Sequence, residues 1–310
     1  MRQRLPDTLP IRAEGLVKRF GDVTALDGLD LEVRHGEVHG FLGPNGAGKS
    51  TTIRAILGHL RLDRGRAQVF GLDPWTDAVT IHGRLAYVPG DVALWPSLTG
   101  GECIDLLGSL QGSQDRDRRD ELVDRFRLDP TRRTRTYSKG NRQKVALVAA
   151  LATDAELLVL DEPTAGLDPL MESVFQQCIR EAVAEGRTVL LSSHILGEVE
   201  ALCDRVTILR DGRAVRTGTL AELAQDAGTT VTVITPEPMP GLAEVDGVEV
   251  LESTPGADGV RTVARVGGAS LAGAVSVIGG AAPTHLVVEP PSLDELFLQH
   301  YSQAAEGVRR

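Results

Sequence analysis

The spacing of apolar positions changes several times along the chain. Alternation over Ile11 to Val17 and Ala25 to Val33 predicts strands, and an Arg-His-Gly-Glu turn at 34–37 leads to a short apolar run, Val38 to Leu42, followed by glycines. From Ser50 the spacing lengthens. Ile53, Ile56, Leu57 and Leu60 fall on one face of a helix that Asp-Arg-Gly at 63–65 is expected to break. Residues 99–153 read as helical, opened by the capping-box pair Thr99 and Glu102 ahead of Ile104, Leu106, Leu107 and Leu110. Two further apolar runs, Leu157 to Leu160 and Thr188 to Leu191, flank a helical stretch and predict parallel central strands. The expected class is therefore α/β with a doubly wound, mostly parallel sheet. After Thr219 and Glu222, a second capping-box pair, the texture becomes Gly- and Pro-rich. Alternating segments at Thr229 to Ile234 and Val260 to Val266, with an apolar close at Leu293, Leu296 and Phe297, predict a small C-terminal α+β accessory domain over 228–310.

Composition narrows the class of molecule. The chain has 310 residues, is 42% hydrophobic and 25% charged, and so can bury a sizeable core without disulfides or metals. No apolar run approaches the roughly 18 residues that span a bilayer, so direct membrane insertion is not expected. The N-terminal Met-Arg-Gln-Arg-Leu-Pro-Asp lacks the apolar core of a secretory signal, which makes the cytosol the expected compartment. Cys103, Cys178 and Cys203 are widely spaced and read as buried small hydrophobes. A net charge of −10 argues against general affinity for nucleic acid. Arg116 to Lys144 nevertheless holds eleven Lys and Arg against five Asp and Glu, which fits a solvated helical surface with interspersed acids.

The chemistry is concentrated at the end of the third strand. Gly43-Pro44-Asn45-Gly46-Ala47-Gly48-Lys49-Ser50-Thr51 lies between an apolar strand and an amphipathic helix, the context a phosphate loop needs. Its glycines let backbone N–H groups turn toward phosphate oxygens, the helix N-terminus adds positive dipole, and Lys49 adds a point charge for the β- and γ-phosphates. Ser50 is expected to ligate Mg²⁺. Lys is scarce, 4 against 29 Arg, so a Lys at this position is informative. The strand Leu157 to Leu160 ends in Asp161 and Glu162. Asp161 is placed to hold Mg²⁺ through water, and Glu162 to orient or deprotonate an attacking water.

These motifs, with three more, resemble one family, the ATP-binding cassette (ABC) ATPases. Tyr137-Ser138-Lys139-Gly140-Asn141-Arg142-Gln143 is similar to the family's signature, Ala165-Gly166-Leu167-Asp168 to its D-loop, and Ser192-Ser193-His194 to its switch histidine; Phe20 stands where an aromatic stacks on adenine. The resemblance covers residues 11–226, with a helical subdomain at about 92–153. It implies ATP and Mg²⁺ as cofactors and a site shared by two cassettes. The phosphate loop of one would face Ser138, Gly140 and Asn141 of the other, His194 would bond the γ-phosphate, and Asp168 would bridge the subunits. A helix N-capped by Ser138 would direct its dipole at that phosphate.

Two departures stand out. The family usually has Gln where this chain has Gly90, which offers no side-chain ligand to Mg²⁺; Asp91 could substitute through water. In the signature, Lys139 replaces a glycine and Asn141 a glutamine. Lys49, Asp161, Glu162 and His194 all remain, which implies a competent ATPase.

A single cassette with no membrane span implies a separate integral membrane permease and a second cassette, a homodimer in the simplest arrangement, at the cytoplasmic face of the cell membrane. Trp95, Pro96 and Leu98 lie in the loop where family members receive a permease helix; Trp95 is either an interface anchor or an aromatic folded under its own loop. The closing Ser292-Leu293-Asp294-Glu295-Leu296-Phe297 is similar to exporter ATPases of the ABC-2 type, including those for drugs and antibiotics. The alternative is a non-transport cassette ATPase acting on nucleic acid or the ribosome. Such proteins carry a long coiled coil between the phosphate loop and signature, or two cassettes in one chain, and this sequence shows neither.

Overall fold

A computed structural model describes residues 8–110, 114–256 and 258–289. The chain divides into two compact units, Met1–Thr217 and Gly218–Arg310.

The first unit opens with β1 (Ile11–Phe20) and β2 (Val23–Val33), then β3 (Val38–Leu42), α1 (Lys49–Ile56), β4 (Arg64–Val69), α2 (Ala78–His82) and β5 (Leu85–Val88). Three helices follow, α3 (Gly100–Leu110), α4 (Arg116–Arg125) and α5 (Lys139–Leu151), before β6 (Leu157–Asp161), α6 (Pro169–Ala184), β7 (Thr188–Ser193), α7 (Leu196–Leu202), β8 (Arg205–Arg210) and β9 (Arg213–Thr219). The six-stranded sheet has the order β5-β6-β7-β3-β8-β9, and its pairings from β5 through β8 are parallel. Its central strands β3, β6 and β7 are buried along their whole length, which explains their unbroken apolar runs.

β1 does not join that sheet. It pairs antiparallel with both β2 and β4 in a separate three-stranded sheet, and it runs past the expected Val17 so that Phe20 sits opposite Val23 at a hairpin tip. Ile11, Leu16, Leu26 and Leu29 from this sheet meet Ile53 and Ile56 of α1 and Phe41 of β3 in one core.

α1 is shorter than its periodicity suggests. Gly58, at φ +70°, ends it. A Cβ there would lie 2.0 Å from the Pro74 carbonyl oxygen, so only glycine fits, and the chain turns before Asp63 is reached. The Thr99 capping box forms as expected, with Glu102 N–H donating to Thr99 Oγ1 at 3.2 Å and Thr99 N–H to Glu102 at 2.7 Å. At the other end of the helical region Arg187 donates to the carbonyls of Ala150, Leu151 and Ala155, closing the C-terminus of α5. Three arginines of α4 are paired with acids: Arg118 and Arg125 both donate to Glu181 of α6, and Arg119 to Asp105 and Asp120. The three cysteines are free and buried.

The second unit contains α8 (Leu220–Ala227), β10 (Thr229–Thr235), β11 (Val248–Gly256), β12 (Gly259–Val266), α9 (Leu271–Gly280) and β13 (His285–Glu289). Its antiparallel sheet has the order β11-β12-β10-β13. Val231, Val233, Ala264 and Val266 on one face pack with Ala274 and Ile278 of α9, as the period-two pattern requires. The Thr219 and Glu222 capping box is present. The closing apolar segment, Ser292 to Phe297, lies outside the described residues.

Candidate functional site

Strand register builds the site. Asp161 of β6 lies opposite Ser192 of β7, and Ser193 opposite Leu42 of β3, so the carboxyl ends of three adjacent strands converge. In an open α/β sheet this edge is where ligands bind. The loop after β3 is the phosphate loop, and Gly43 N–H reaches Ser193 O at 3.4 Å.

Within that loop, Gly46 and Gly48 have φ of +85° and +108°, values that side chains other than glycine rarely adopt. A Cβ on Gly48 would meet Ala25 O at 2.9 Å, whereas nothing lies within 4 Å of one on Gly46. Gly43, Ala47, Gly48 and Lys49 are buried, Pro44 and Thr51 are partly exposed, and Asn45, Gly46 and Ser50 face solvent. Gly48 N-caps α1 with no side-chain hydrogen bond, and no acidic residue occupies the first turn. An open glycine curve and a helix N-terminus lacking a side-chain cap suit phosphate oxygens.

Lys49 is 5% exposed, and its Nζ folds back onto the carbonyls of Gly43 and Pro44 at 2.6 and 3.2 Å. It also lies 3.6 Å from Glu162 Oε1. Burial pulls the Lys49 ammonium below its ordinary value, and the nearby Glu162 and Asp161 oppose that shift. The same Glu162 oxygen is 3.1 Å from His194 Nδ1. Glu162 therefore stands between a cation and an imidazole, with its side chain 28% exposed and able to reach water.

Glu162 has φ +49°, uncommon for a residue with a side chain. Pro163 disfavours the right-handed helical region for the residue before it, and the Glu162 N–H is held by Ser192 O at 3.1 Å. Asp161 is 7% exposed and accepts from Ser192 Oγ at 2.5 Å. Tyr87, on the neighbouring β5, has its phenol pushed up to about 12, first by burial and then by the charge of Asp161. Gly90 brings backbone rather than side chain to this corner. A Cβ at 90 would lie 3.0 Å from Asp161 O, and Asp91 beside it is exposed.

Phe20 is 49% exposed, with Lys18 Nζ 5.5 Å from its ring centroid. The ring is thus available for stacking. It belongs to the hairpin whose β2 strand touches the phosphate loop through Ala25.

The signature and D-loop residues form a second group. Ser138 N-caps α5, accepting from Asn141 N–H at 3.2 Å. Asp168 N-caps α6, accepting from Met171 N–H at 3.0 Å, so within its own chain it has a structural task. The two helix starts touch at glycine: a Cβ on Gly140 would lie 2.3 Å from Gly166 O, and the Lys139 stem lies over Gly166. Ser138, Lys139, Gly166 and Asp168 are all exposed. The D-loop is tied to the catalytic corner through its backbone, the Ala165 N–H donating to Glu162 O at 3.1 Å.

Sequence reading missed Tyr87 and Glu198. Tyr87 carries no motif of its own in the sequence. Glu198, which no motif singles out, is 7% exposed and bonded to Ser193. Trp95, in the loop before α3, is 45% exposed.

Comparison with known proteins agrees with this geometry. The ABC transporter family model matches residues 26–165. The daunorubicin resistance ATP-binding protein DrrA3 of Streptomyces coeruleorubidus is 42% identical over 223 residues, 70% of this chain and 71% of that protein. The linearmycin resistance ATP-binding protein LnrL of Bacillus subtilis is 33% identical over 70% of this chain and 72% of its own length. Among solved structures, an ATP-binding subunit of an ABC transporter aligns at a TM-score of 0.67 with 32% identity, covering 71% of this chain and 93% of that one. A dimeric ATP-binding cassette with ADP and Pi shares the fold at a TM-score of 0.62 and 24% identity, over 68% of this chain and 98% of that one. No helix among the described residues is long and apolar enough to cross a membrane. Relatives aligned over more than two thirds of both chains place this chain in the ABC transporter family, as one of its ATP-binding subunits.

Proposed function

We propose that this chain powers export of a small molecule, of the drug or antibiotic class, through a separate membrane permease, by ATP-driven pairing of two cassettes at the cytoplasmic face of the membrane. The observation that carries the hydrolytic part is the Lys49–Glu162–His194 constellation at the carboxyl edge of the parallel sheet. Support for export comes from relatives named for resistance to daunorubicin and linearmycin.

The residues take distinct tasks. Phe20 offers its exposed face to adenine. Backbone N–H groups from Gly43 to Thr51 cradle the phosphates, and Lys49 exchanges the carbonyls of Gly43 and Pro44 for the β- and γ-phosphate oxygens. That exchange also loosens its hold on Glu162, leaving a carboxylate beside His194 to orient and deprotonate water. His194 donates to the γ-phosphate. Ser50 and Asp161 are the residues that would hold Mg²⁺, which when bound neutralises charge on the phosphates. Ser138, Gly140 and Asn141 of a second copy would close over the γ-phosphate, with Asp168 of each copy at the seam. The exposure of both helix starts supports this. Two cassettes are then held together while the γ-phosphate is present and released after hydrolysis. Half-exposed Trp95 supports the anchor reading of that loop and suits a permease contact.

Two measurements test the reading. Glu162→Gln should abolish phosphate release while ATP still binds; hydrolysis at the wild-type rate removes Glu162 from the base role. A tagged chain recovered from detergent-solubilised native membranes should bring down a polytopic membrane protein lacking its own cassette. Recovery of only ribosomes or nucleic acid would refute the transport reading.

A further inference from the structure

Glu198 lies in the first turn of α7, four residues after His194. It is only 7% exposed, unusual for a carboxylate with no cation bonded to it. Its Oε2 lies 2.6 Å from Ser193 Oγ, while Oε1 is buried without a hydrogen-bond partner. Thr164, on the loop leading from Glu162 to the D-loop, is near enough to favour the charged form.

Ser193 is the hub of a tight turn. Its Oγ accepts from Ile195 N–H at 2.9 Å and lies 3.3 Å from Ile195 O, and its own carbonyl accepts from Gly43 N–H. One hydroxyl proton cannot serve both Glu198 and Ile195 O. An ionised Glu198 takes that proton, strips Ile195 O of it, and leaves a charged oxygen buried without a partner. A neutral Glu198 donates to Ser193 Oγ, Ser193 donates to Ile195 O, and every short distance is used; what stays unpartnered is a carbonyl-type oxygen, far less costly to bury. The charged and titratable groups facing Glu198 are Glu172, His194 and Cys203. Burial pushes the carboxyl up and Glu172 adds to this, against Ser193, Thr164 and His194.

We propose that Glu198 is a positioning residue for hydrolysis: its buried carboxyl clasps the Ser193 hydroxyl and fixes the 193–195 turn, setting where His194 stands relative to Glu162. This rests on the roles given above to Glu162 and His194. It also links that turn to the phosphate loop, through Ser193 O and Gly43 N–H.

The test uses the full-length chain with Glu198→Ala, Glu198→Gln, Ser193→Ala and His194→Ala. Phosphate release gives kcat and KM for ATP, and amide hydrogen exchange follows Ile195. Glu198→Ala should lower kcat about tenfold or more with KM within about twofold, as a displaced catalytic group does. Ile195 exchange should quicken in Glu198→Ala and Ser193→Ala, and Glu198→Gln, whose amide donates as the neutral acid does, should restore both readouts. Wild-type kcat and exchange in Glu198→Ala overturn the clasp. So does a Gln variant as impaired as Ala, or a loss of thermal stability and nucleotide affinity together with the rate. If His194→Ala retains full kcat, the hydrolytic reading itself fails; if His194→Ala is inactive and Glu198→Ala is not, only the clasp fails.

Discussion

The contact between Gly140 and Gly166 gives a prediction whose size follows from geometry. Alanine at 140 would place its Cβ 2.3 Å from Gly166 O, where ordinary contact begins at 3.4 Å, so one loop must retreat by about 1 Å. The obstacle is a backbone carbonyl and cannot swing aside as a flexible side chain would. Alanine favours helix over glycine by about 1 kcal/mol, while overpacking costs about 1–3 kcal/mol, so stability should change little or fall slightly. Activity should change more. The retreat moves Ser138 and Asn141 on one side or Asp168 on the other, and a displacement of this size costs on the order of a hundredfold in rate. The phosphate loop is untouched, so ATP binding should persist. Steady-state phosphate release and equilibrium ATP binding by Gly140→Ala measure both, with Gly197→Ala as control, since nothing lies within 4 Å of a Cβ at 197. A Gly140→Ala protein hydrolysing at the wild-type rate would show that the signature and D-loop need not touch closely.

Other substitutions probe separate parts of the chain. Lys49→Ala removes the buried ammonium and should weaken ATP binding itself; unchanged affinity by equilibrium titration would contradict the phosphate-loop assignment. Phe20→Ala should loosen adenine nucleotides by the ~1–3 kcal/mol of base–aromatic stacking, and equal affinity for ATP in both proteins would leave Phe20 without that role. Glu181 has its carboxyl held down at about 2, first by its hydrogen bonds to Arg125 and also by those to Arg118. Its folded value is below the ordinary 4.5, so the stabilisation is present above that value and is lost as pH falls toward 2. With the side chain a third exposed and screened by solvent, Glu181→Gln should cost about 1 kcal/mol at neutral pH. Denaturant titrations should show the two proteins converging as the medium is acidified, and a gap that does not depend on pH would refute the ion-pair account.

What the sequence revealed was mainly local. The phosphate loop announces itself because its glycines, Lys49 and Ser50 are contiguous, and β3, β6 and β7 because burial on both faces leaves no polar alternation. The capping boxes at Thr99 and Thr219 were legible for the same reason: donor and acceptor lie three residues apart. Less visible were features that depend on distant partners. Nothing in Ile11 to Phe20 says that it pairs with β4 rather than with the central sheet. The residue that ends α1 has to be glycine because Pro74 leaves no room for a Cβ at 58, and Pro74 is not a neighbour in sequence. β11 was hidden because its residues are mostly exposed and include Pro255, so no apolar face marks it. Asp168 looked like an intersubunit residue, yet its side chain also caps α6, a task that Pro169 at the first helical position could have signalled. Glu198 has the spacing of a surface acid, and only the packed structure reveals its burial.

The position of β3 in the sheet bears on how the protein is made. β3 lies between β7 and β8, strands that begin at Thr188 and Arg205. A ribosome releases the phosphate loop long before either flanking strand exists, so for most of synthesis β3 has two unsatisfied edges and Lys49 has neither Glu162 nor His194 beside it. On the roles proposed for Lys49, Glu162 and His194, nascent chains of this protein would not turn over ATP until the sheet closes around its earliest central strand. During that interval an apolar strand with open edges is the segment most in need of a chaperone.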